Sequence, residues 1–266
     1  MSELLKWKQT ACEAAQKASA LLLSMRQNFS VREKARFDLV TDADTASQKI
    51  IKEHLHGAFP YHDFLGEEDG KGEQEPAHDA PPTWIVDPID GTTNYVHDLP
   101  LYAVSIGLWH QGKMKVGVVM DPARNEMFHA ASGHGAFLND RQISVSKVSA
   151  MKDAMITTGF PYSVQGMEHL FGWWRHFSHR CQALRRIGST ALNMAYVACG
   201  RCDVFYAFDN HVWDIAGGLV LVEEAGGLVS HVDGCKYSPF RPDSLVTNQP
   251  LHQHLLQEFS QGPKES

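Results

Sequence analysis

The sequence TWIVDPIDGTTNYVHDLP, residues 83–100, sets two aspartates three positions apart, with a proline after the first and Gly-Thr-Thr after the second. Its opening apolar run predicts a short buried strand that ends at Asp87. Pro88 favours an extended backbone at Asp87 and has no N–H to donate, so we expect nearby carbonyls, in particular that of Ile89, to stay free for a cation. The stretch therefore predicts a strand end that gathers carboxylate and carbonyl oxygens.

The residues after this strand end favour an anion beside the cation. Gly91 permits close backbone approach, and a turn or helix start over Gly91–Thr93 would aim free N–H groups outward, as phosphate binding requires. Hard oxygen donors without a neighbouring His or Cys pattern favour Mg²⁺ or Mn²⁺ over zinc. Each acid alone could be an ordinary turn or cap residue, but their grouping over Asp87–Thr93 favours a metal and phosphate site.

Further acids fall at the ends of predicted elements. Glu67 and Glu68 lie in LGEEDG, and Asp214 lies at the start of a predicted helix. Asp44 lies in the first turn of another helix. Residues 42–53 also have acids at three positions of a calcium loop, but an alanine and a serine occupy the fifth and sixth positions, where that loop needs an oxygen ligand and a glycine. We therefore exclude a calcium loop there.

The composition is that of a globular protein. The chain has 266 residues, 43% of them hydrophobic and 21% charged, with a formal net charge of −7, which suits one large domain or two closely packed ones. A mildly acidic chain does not favour a nucleic-acid surface. No apolar run approaches the roughly 20 residues that span a bilayer, and no signal peptide opens the chain. With five scattered cysteines, these features predict a cytoplasmic protein without a membrane segment.

Periodicity and cap signals predict helices packed on sheets, in two halves. A restart of the pattern near residue 150 divides the chain into residues 1–150 and residues 151–266, which we expect to pack tightly as one unit. Alternating runs predict an antiparallel meander over residues 102–140. The predicted helices cover residues 3–28, 42–55, 190–198, 213–225 and 250–259.

Three motifs, in this order and spacing, resemble the signatures of the inositol monophosphatase family: LGEEDG at residues 65–70, WIVDPIDGTTNYVH at 84–97 and WDIAGGLVLVEEAGG at 213–227. The similarity extends over about residues 5–250. These magnesium-dependent, lithium-sensitive phosphatases imply an α/β (α+β) layered sandwich of alternating helices and sheets. They also imply a homodimer, a small phosphorylated substrate and two to three Mg²⁺ sites, with Mn²⁺ as a possible replacement.

The resemblance also implies roles for the matching residues. One Mg²⁺ would be held by Glu67, Asp87 and the Ile89 carbonyl, and Glu67 would help to hold a third, weaker one. The second would be held by Asp87, Asp90 and Asp214. Thr92, with Asp44 behind it, would orient and deprotonate the attacking water, and Glu67 completes the catalytic set. The implied phosphate and substrate contacts are Gly91, Thr92, Asp90, Ser189, Thr190 and Asp214.

One position departs from the family's pattern and bears on the substrate. Inositol-handling members usually carry a glutamate seven residues before the last metal aspartate, and here that position is Ala207. Asp209, two residues on, could replace it. We predict hydrolysis of small phosphate monoesters, inositol monophosphate first. The alternatives are another polyol phosphate, a sugar phosphate or fructose bisphosphate, histidinol phosphate, a nucleotide 3′-phosphate, or an inactive regulatory or RNA-associated member.

Several other residues fit more than one role. His211, three residues before Asp214, could contact the phosphate or leaving group, or be structural. Arg185 and Arg186 could line the cleft, form a dimer contact or be solvated. Solvent, surface or packing roles are expected for Glu68, His176, His179 and Trp173–Trp174, and no functional role for the Cys199 and Cys202 pair.

Overall fold

The computed structural model describes residues 2–36, 38–70, 73–161, 164–165 and 167–263. The helices in these residues are α1 (Glu3–Met25), α2 (Asp42–Ala58), α3 (Thr92–Val96), α4 (His169–Ser178), α5 (Thr190–Ala198), α6 (Val212–Glu224) and α7 (Gln249–Gln261). Five of them lie where the sequence predicts helices. The sequence did not predict α4, whose N-cap residue Glu168 offers no capping hydrogen bond. None of the described helices is long and apolar enough to cross a membrane.

The strands form a hairpin and two larger sheets. Their bounds are β1 (Val31–Ala35), β2 (Asp38–Thr41), β3 (Asp63–Gly66), β4 (Thr83–Asp90), β5 (Ala103–His110), β6 (Lys113–Asp121), β7 (Glu126–Ala131), β8 (Ala136–Leu138), β9 (Arg141–Gln142), β10 (Met155–Thr158), β11 (Ala183–Arg185), β12 (Val204–Ala207), β13 (Leu228–Ser230) and β14 (Ser244–Thr247). β1 and β2 pair as the hairpin, and β3 to β9 form a seven-stranded sheet in chain order. The second sheet has the order β11-β10-β12-β14-β13. The predicted meander over residues 102–140 is present as β5 to β8.

Helices and sheets alternate in layers. α1 and α2 pack on one face of the seven-stranded sheet, and α5 and α6 pack on its other face. α5 also contacts β12 and β14 of the five-stranded sheet, while α4 and α7 contact that sheet's β11 and β14. Each interface between layers has its own buried apolar cluster. The predicted layered α/β sandwich is therefore confirmed.

A bulge at the end of β4 positions the two aspartates of the signature segment. Asp87 pairs with Ser105 of β5, but Asp90 pairs with Ala103, so β4 has one residue more than its partner. Side chains alternate between faces along a regular strand, and three positions would therefore separate the two aspartates onto opposite faces. The extra residue cancels this alternation and brings both carboxylates to the same face of the sheet.

Glycines allow α6 to lie directly on the seven-stranded sheet. A Cβ atom at Gly117 of β6 would lie 2.4 Å from the carbonyl oxygen of Gly217 in α6, and one at Gly217 would lie 2.6 Å from the carbonyl oxygen of Val118. The Ser105 hydroxyl of β5 donates to the carbonyl of Trp213 at 3.1 Å. This close packing fixes the position of Asp214 relative to the end of β4.

Candidate active site

The carboxylates of the three motifs meet in one cleft of about 1020 Å³. Its lining includes residues from the 3₁₀ turn after β3, from the end of β4, from the starts of α3, α5 and α6, and from the segment after β12. The predicted site residues on this lining are Glu67, Asp87, Ile89, Asp90, Gly91, Thr92, Ser189, Thr190, Asp209, His211 and Asp214. The sequence prediction that these side chains lie together agrees with the structure, although their individual roles stay predictions.

Asp87 and Glu67 form the first pair of carboxylates. Asp87 is 2% exposed, and its Oδ1 accepts a hydrogen bond from the Ile89 amide at 2.9 Å. Glu67 begins a short 3₁₀ helix, Glu67–Asp69, directly after β3. Burial and then the negative charge of Glu67 raise the pKa of Asp87, so one cation held by both carboxylates would replace a repulsive interaction by two attractive ones.

Asp90 is held by the start of α5. Its Oδ2 accepts hydrogen bonds from the Ser189 hydroxyl at 2.6 Å and the Ala191 amide at 2.5 Å, and its Oδ1 accepts one from the Thr190 amide at 3.2 Å. Ser189 and Thr190 are predicted substrate contacts, but here their donors are directed at Asp90. This contact between the start of α5 and the end of β4 was not predicted, because the sequence identifies Ser189 as a helix cap and, through the resemblance, as a substrate contact, and carries no sign of its partner Asp90.

Asp214 lies in the first turn of α6, where the sequence places it. Its Oδ2 accepts a hydrogen bond from the His211 amide at 2.9 Å. Burial, Asp90 and Glu67 raise the pKa of Asp214 well above its usual value. Burial and the carboxylates of Glu67, Asp90 and Asp214 likewise raise the pKa of Asp87. The site is thus a concentration of negative charge that burial makes costly.

The donor set fits Mg²⁺. Among the described residues, no group of three or more His, Cys, Asp or Glu side chains is already arranged to hold a metal ion. The Asp90 carboxylate instead accepts hydrogen bonds from the start of α5, and the Glu67 carboxylate pairs with Lys34. Mg²⁺ is usually bound through one or two carboxylates and keeps several of its waters, so it does not need a complete protein cage. Carboxylates with raised pKa values are the groups that a cation would stabilise in their charged form.

Lys34 of β1 reaches the carboxylates from the hairpin. Its Nζ donates to Glu67 Oε1 at 2.9 Å and to Glu68 Oε1 at 2.5 Å, and these carboxylates raise its pKa against the opposing effect of burial. The sequence analysis missed this contact, because 33 residues separate Lys34 from Glu67. The expectation that Glu68 is solvated was wrong: its side chain is 12% exposed, and its amide donates to the Gln48 side chain at 2.9 Å.

Asp44 and Thr92 form a buried pair beside the carboxylates. The Thr92 hydroxyl lies 3.0 Å from Asp44 Oδ1 and also 3.0 Å from the Ile89 carbonyl oxygen. Asp44 Oδ2 accepts from the amide and hydroxyl of Thr41 at 2.7 and 2.6 Å. Burial raises the pKa of Asp44 to about 6, against the opposing effect of these donors. At neutral pH a carboxylate with this pKa is ionised and able to accept a proton.

Gly91 places the first turn of α3 next to these acids. Its φ of 97° lies in the left-handed region, and a Cβ atom would lie 3.0 Å from the carbonyl oxygens of Gly188 and Leu101. The first amides of a helix have no partners within the helix. The amides that begin α3 therefore lie on the lining of the cleft, where an anion can accept their hydrogen bonds.

Apolar side chains also line the cleft. Ala207 is buried on the lining, 3.9 Å from the position of a Cβ at Gly159, and the exposed Asp209 lies nearby on the same lining. Phe160 contacts Trp174, with 5.8 Å between ring centroids. Arg186 also lines the cleft, with its guanidinium 5.5 Å from the centre of the Phe160 ring. Of the three roles considered for Arg186, the structure supports a cleft position.

His211 lies at the edge of the cleft, held by a residue that the sequence analysis missed. Its Nδ1 pairs with Glu73 Oε1, and this hydrogen bond raises the pKa of His211 to about 9. The ring stacks on Trp213 with 5.0 Å between centroids. His211 therefore has both a structural contact and access to the cleft.

Three further sequence expectations have clear outcomes. His176 was expected on the surface, but it is 2% exposed and pairs with Glu258 of α7 at 2.5 Å; helical spacing alone does not reveal which face a helix buries. His179 is exposed, as expected. Cys199 and Cys202 are free thiols, and burial raises the pKa of Cys202 to about 12, so this thiol stays protonated and unreactive.

The layered fold and a cleft of buried carboxylates next to open helix amides define a phosphatase of small phosphate esters. A family model described as the inositol monophosphatase family matches residues 3–264, and the chain belongs to this family. The resemblance noted in the sequence is therefore confirmed.

Relatives and solved structures agree with this assignment. The chain is 39% identical over 266 residues to an inositol-1-monophosphatase from Synechocystis sp., covering 99% of this chain and 92% of that protein. It is also 39% identical to the Nus factor SuhB from Pseudomonas aeruginosa, covering 84% of each. The structure of inositol monophosphatase from Anabaena (Nostoc) sp. has a TM-score of 0.88 and 35% identity over 98% of each chain.

Proposed function

We propose that the protein is a Mg²⁺-dependent phosphatase that hydrolyses inositol monophosphate. The observation that carries the proposal is the convergence of Glu67, Asp87, Asp90 and Asp214 on one cleft beside the Asp44–Thr92 pair. Buried acids with raised pKa values, next to a nucleophile-orienting pair and open amides, suit hydrolysis of a phosphate ester. The names of the relatives support inositol phosphate as the substrate.

In this proposal the chain's own residues divide the work. Glu67, Asp87, the Ile89 carbonyl, Asp90 and Asp214 would hold Mg²⁺ in two or three sites. When bound, Mg²⁺ lowers the pKa of its water and neutralises charge on the phosphate and the leaving oxygen. The amides of Gly91 and Thr92 hold the phosphate, with Ser189 and Thr190 at the neighbouring helix start.

Thr92 and Asp44 act on the attacking water. When the Thr92 hydroxyl donates to Asp44 Oδ1, its own oxygen lone pairs face away from Asp44 and can accept a hydrogen bond from the water. As the water attacks phosphorus, its proton passes through the Thr92 hydroxyl to Asp44. The donors from Thr41 hold the Asp44 carboxylate in place during this transfer.

Five finer points belong to the same proposal. Mn²⁺ can replace Mg²⁺, because both prefer oxygen ligands. Lithium inhibits, and the working form is a homodimer, as the family resemblance implies. We also infer a cytoplasmic location, which the free, scattered cysteines support. Asp209 takes the place of the glutamate that position 207 lacks.

The test is phosphate release with Mg²⁺ by the wild type and by Asp90→Asn. The substrate panel comprises monophosphates of inositol, glycerol, sugars, histidinol and nucleosides, together with fructose bisphosphate. We expect inositol monophosphate to be the best substrate, release to require Mg²⁺, and Asp90→Asn to abolish it. Absence of release from every substrate would overturn the proposal and direct attention to a binding role.

A further inference from the structure

Glu73 contacts the start of α6 with both of its carboxylate oxygens. It lies between the Glu67 turn and β4, in a segment without regular structure. Its Oε2 accepts a hydrogen bond from the Val212 amide at 2.6 Å, and its Oε1 pairs with Nδ1 of His211. Burial raises the pKa of the Glu73 carboxyl, but the hydrogen bonds with His211 and Val212 outweigh burial and hold this pKa below its usual value. Glu73 is therefore a charged residue that joins two distant segments of the chain at the edge of the cleft.

The backbone that Glu73 holds is the turn that carries Asp214. Val212 is the first residue of α6, and its amide has no partner within the helix. Asp214 accepts from the amide of His211, the residue just before. Two carboxylates thus bind consecutive amides, one from within the helix and one from the segment after Glu67. A negative charge at this helix start is also favourable in itself.

Glu73 also fixes the ring of His211. The ring is held at Nδ1 by Glu73 and on its face by Trp213, whose ring lies nearly parallel to it at an angle of 12°. His211, Trp213 and Asp214 all line the cleft. Glu75, two positions from Glu73, makes no ion pair with a described residue, so the contact belongs to Glu73 and is not a general property of acids in this segment.

We propose that Glu73 is a positioning residue of the active site. It holds the first turn of α6 against the segment after Glu67, so that Asp214 and the ring of His211 keep a fixed orientation in the cleft. The inference rests on the proposed function in one respect, namely that Asp214 is a Mg²⁺ ligand. Partners that orient metal ligands typically change metal affinity or activity when they are removed.

The test compares Glu73→Ala and Glu73→Gln with the matched pair Glu75→Ala and Glu75→Gln. Mg²⁺ binding is measured by calorimetry, and phosphate release from inositol monophosphate is measured over a range of Mg²⁺ concentrations. We expect Glu73→Ala to weaken Mg²⁺ binding and lower kcat by about tenfold each, with a smaller change in KM. Glutamine keeps an acceptor for the Val212 amide, so Glu73→Gln should recover part of both. The Glu75 variants should behave as the wild type.

Two further readouts separate positioning from loss of the fold. Thermal unfolding establishes that each variant is folded, and the ring nitrogen resonances of His211 report directly on its contact with Glu73. Equal Mg²⁺ binding by Glu73→Ala and Glu75→Ala, or an unchanged His211 resonance, would overturn the inference. If the wild type binds Mg²⁺ but releases no phosphate, the proposed function fails, while the binding comparison still tests Glu73.

Discussion

The hydroxyl of Ser189 donates to Asp90 Oδ2 at 2.6 Å, and through this bond the start of α5 holds a carboxylate at the end of β4. The same hydroxyl accepts from the Leu192 amide at 3.2 Å, as an N-cap does. One side chain therefore both begins α5 and orients Asp90. Disturbing it should affect stability and metal binding together.

Ser189→Ala tests this double role. Loss of the cap should lower the free energy of unfolding by about 1 kcal/mol, and Mg²⁺ binding should weaken because Asp90 loses a donor. Chemical denaturation and calorimetry measure the two effects. Ser260→Ala is the control, since that exposed hydroxyl donates only to the Gln257 carbonyl. A variant with wild-type Mg²⁺ affinity would show that the Ser189 bond does not orient Asp90 for binding.

Thr92→Val removes the hydroxyl between the attacking water and Asp44 but keeps the shape of the side chain. We expect kcat to fall by about 10²-fold or more, the usual size of a proton-transfer contribution, while KM changes little. Steady-state phosphate release measures both constants. Thr93→Val is a matched control, because Thr93 lines the same cleft. Equal rates for the two variants would contradict the role of Thr92.

The pH dependence of the reaction should report on Asp44. Its pKa is raised to about 6 by burial, and only the ionised carboxylate can accept a proton. Activity should therefore be full above this pKa and fall as the pH falls through about 6. In Asp44→Asn the residual activity should lose this dependence. An acid limb that persists unchanged in Asp44→Asn would assign it to another group.

Gly91→Ala tests the backbone of the phosphate-binding turn. An alanine at a φ of 97° is strained, and its Cβ would press on two carbonyl oxygens at 3.0 Å. We expect a loss of more than about 1 kcal/mol of stability and a large loss of activity. Gly133→Ala is the control, with a φ of 78° but no atom within 4 Å of the added Cβ. If both variants lose the same stability, the close approach at Gly91 contributes nothing.

Asp209→Asn tests whether Asp209 contacts the hydroxyls of the substrate. KM for inositol monophosphate should rise by about tenfold, since hydrogen bonds to charged groups contribute roughly 1.5–3 kcal/mol, and kcat should stay close to its wild-type value. Asp38→Asn, at another position of the cleft lining, should leave KM unchanged. A wild-type KM in Asp209→Asn would leave the substrate hydroxyls to other residues.

The sequence predicts those parts of the fold and site that depend on local signals. Strand β4, the Ser189 cap and the start of α6 each follow from neighbouring residues. The sequence therefore predicts that Asp87, Asp90 and Asp214 lie at the ends of strands and helices. The family motifs then placed those ends in one cleft. The proposed boundary near residue 150 stays a prediction.

Contacts over long chain distances could not be predicted in this way. Lys34 and Glu73 are charged residues in segments without a strong pattern, and their partners are 33 and 138 residues away. The burial of Glu68 and His176 likewise depends on which neighbours pack over them. Such pairs are fixed by the tertiary arrangement, and one sequence carries no local signal for them.

The extra residue at the end of β4 makes the length of the Asp87–Asp90 segment more restricted than its composition. A substitution at Pro88 or Ile89 would keep the extra residue and leave both aspartates on the same face of the sheet. Deletion of either residue would leave the aspartates two positions apart and restore regular pairing with β5, and the extra backbone unit that lets the Ile89 amide donate to Asp87 would be lost. A second-site substitution of another side chain could not restore that backbone unit. We therefore expect random mutagenesis with selection for activity to recover changes of residue within this segment and no changes of its length.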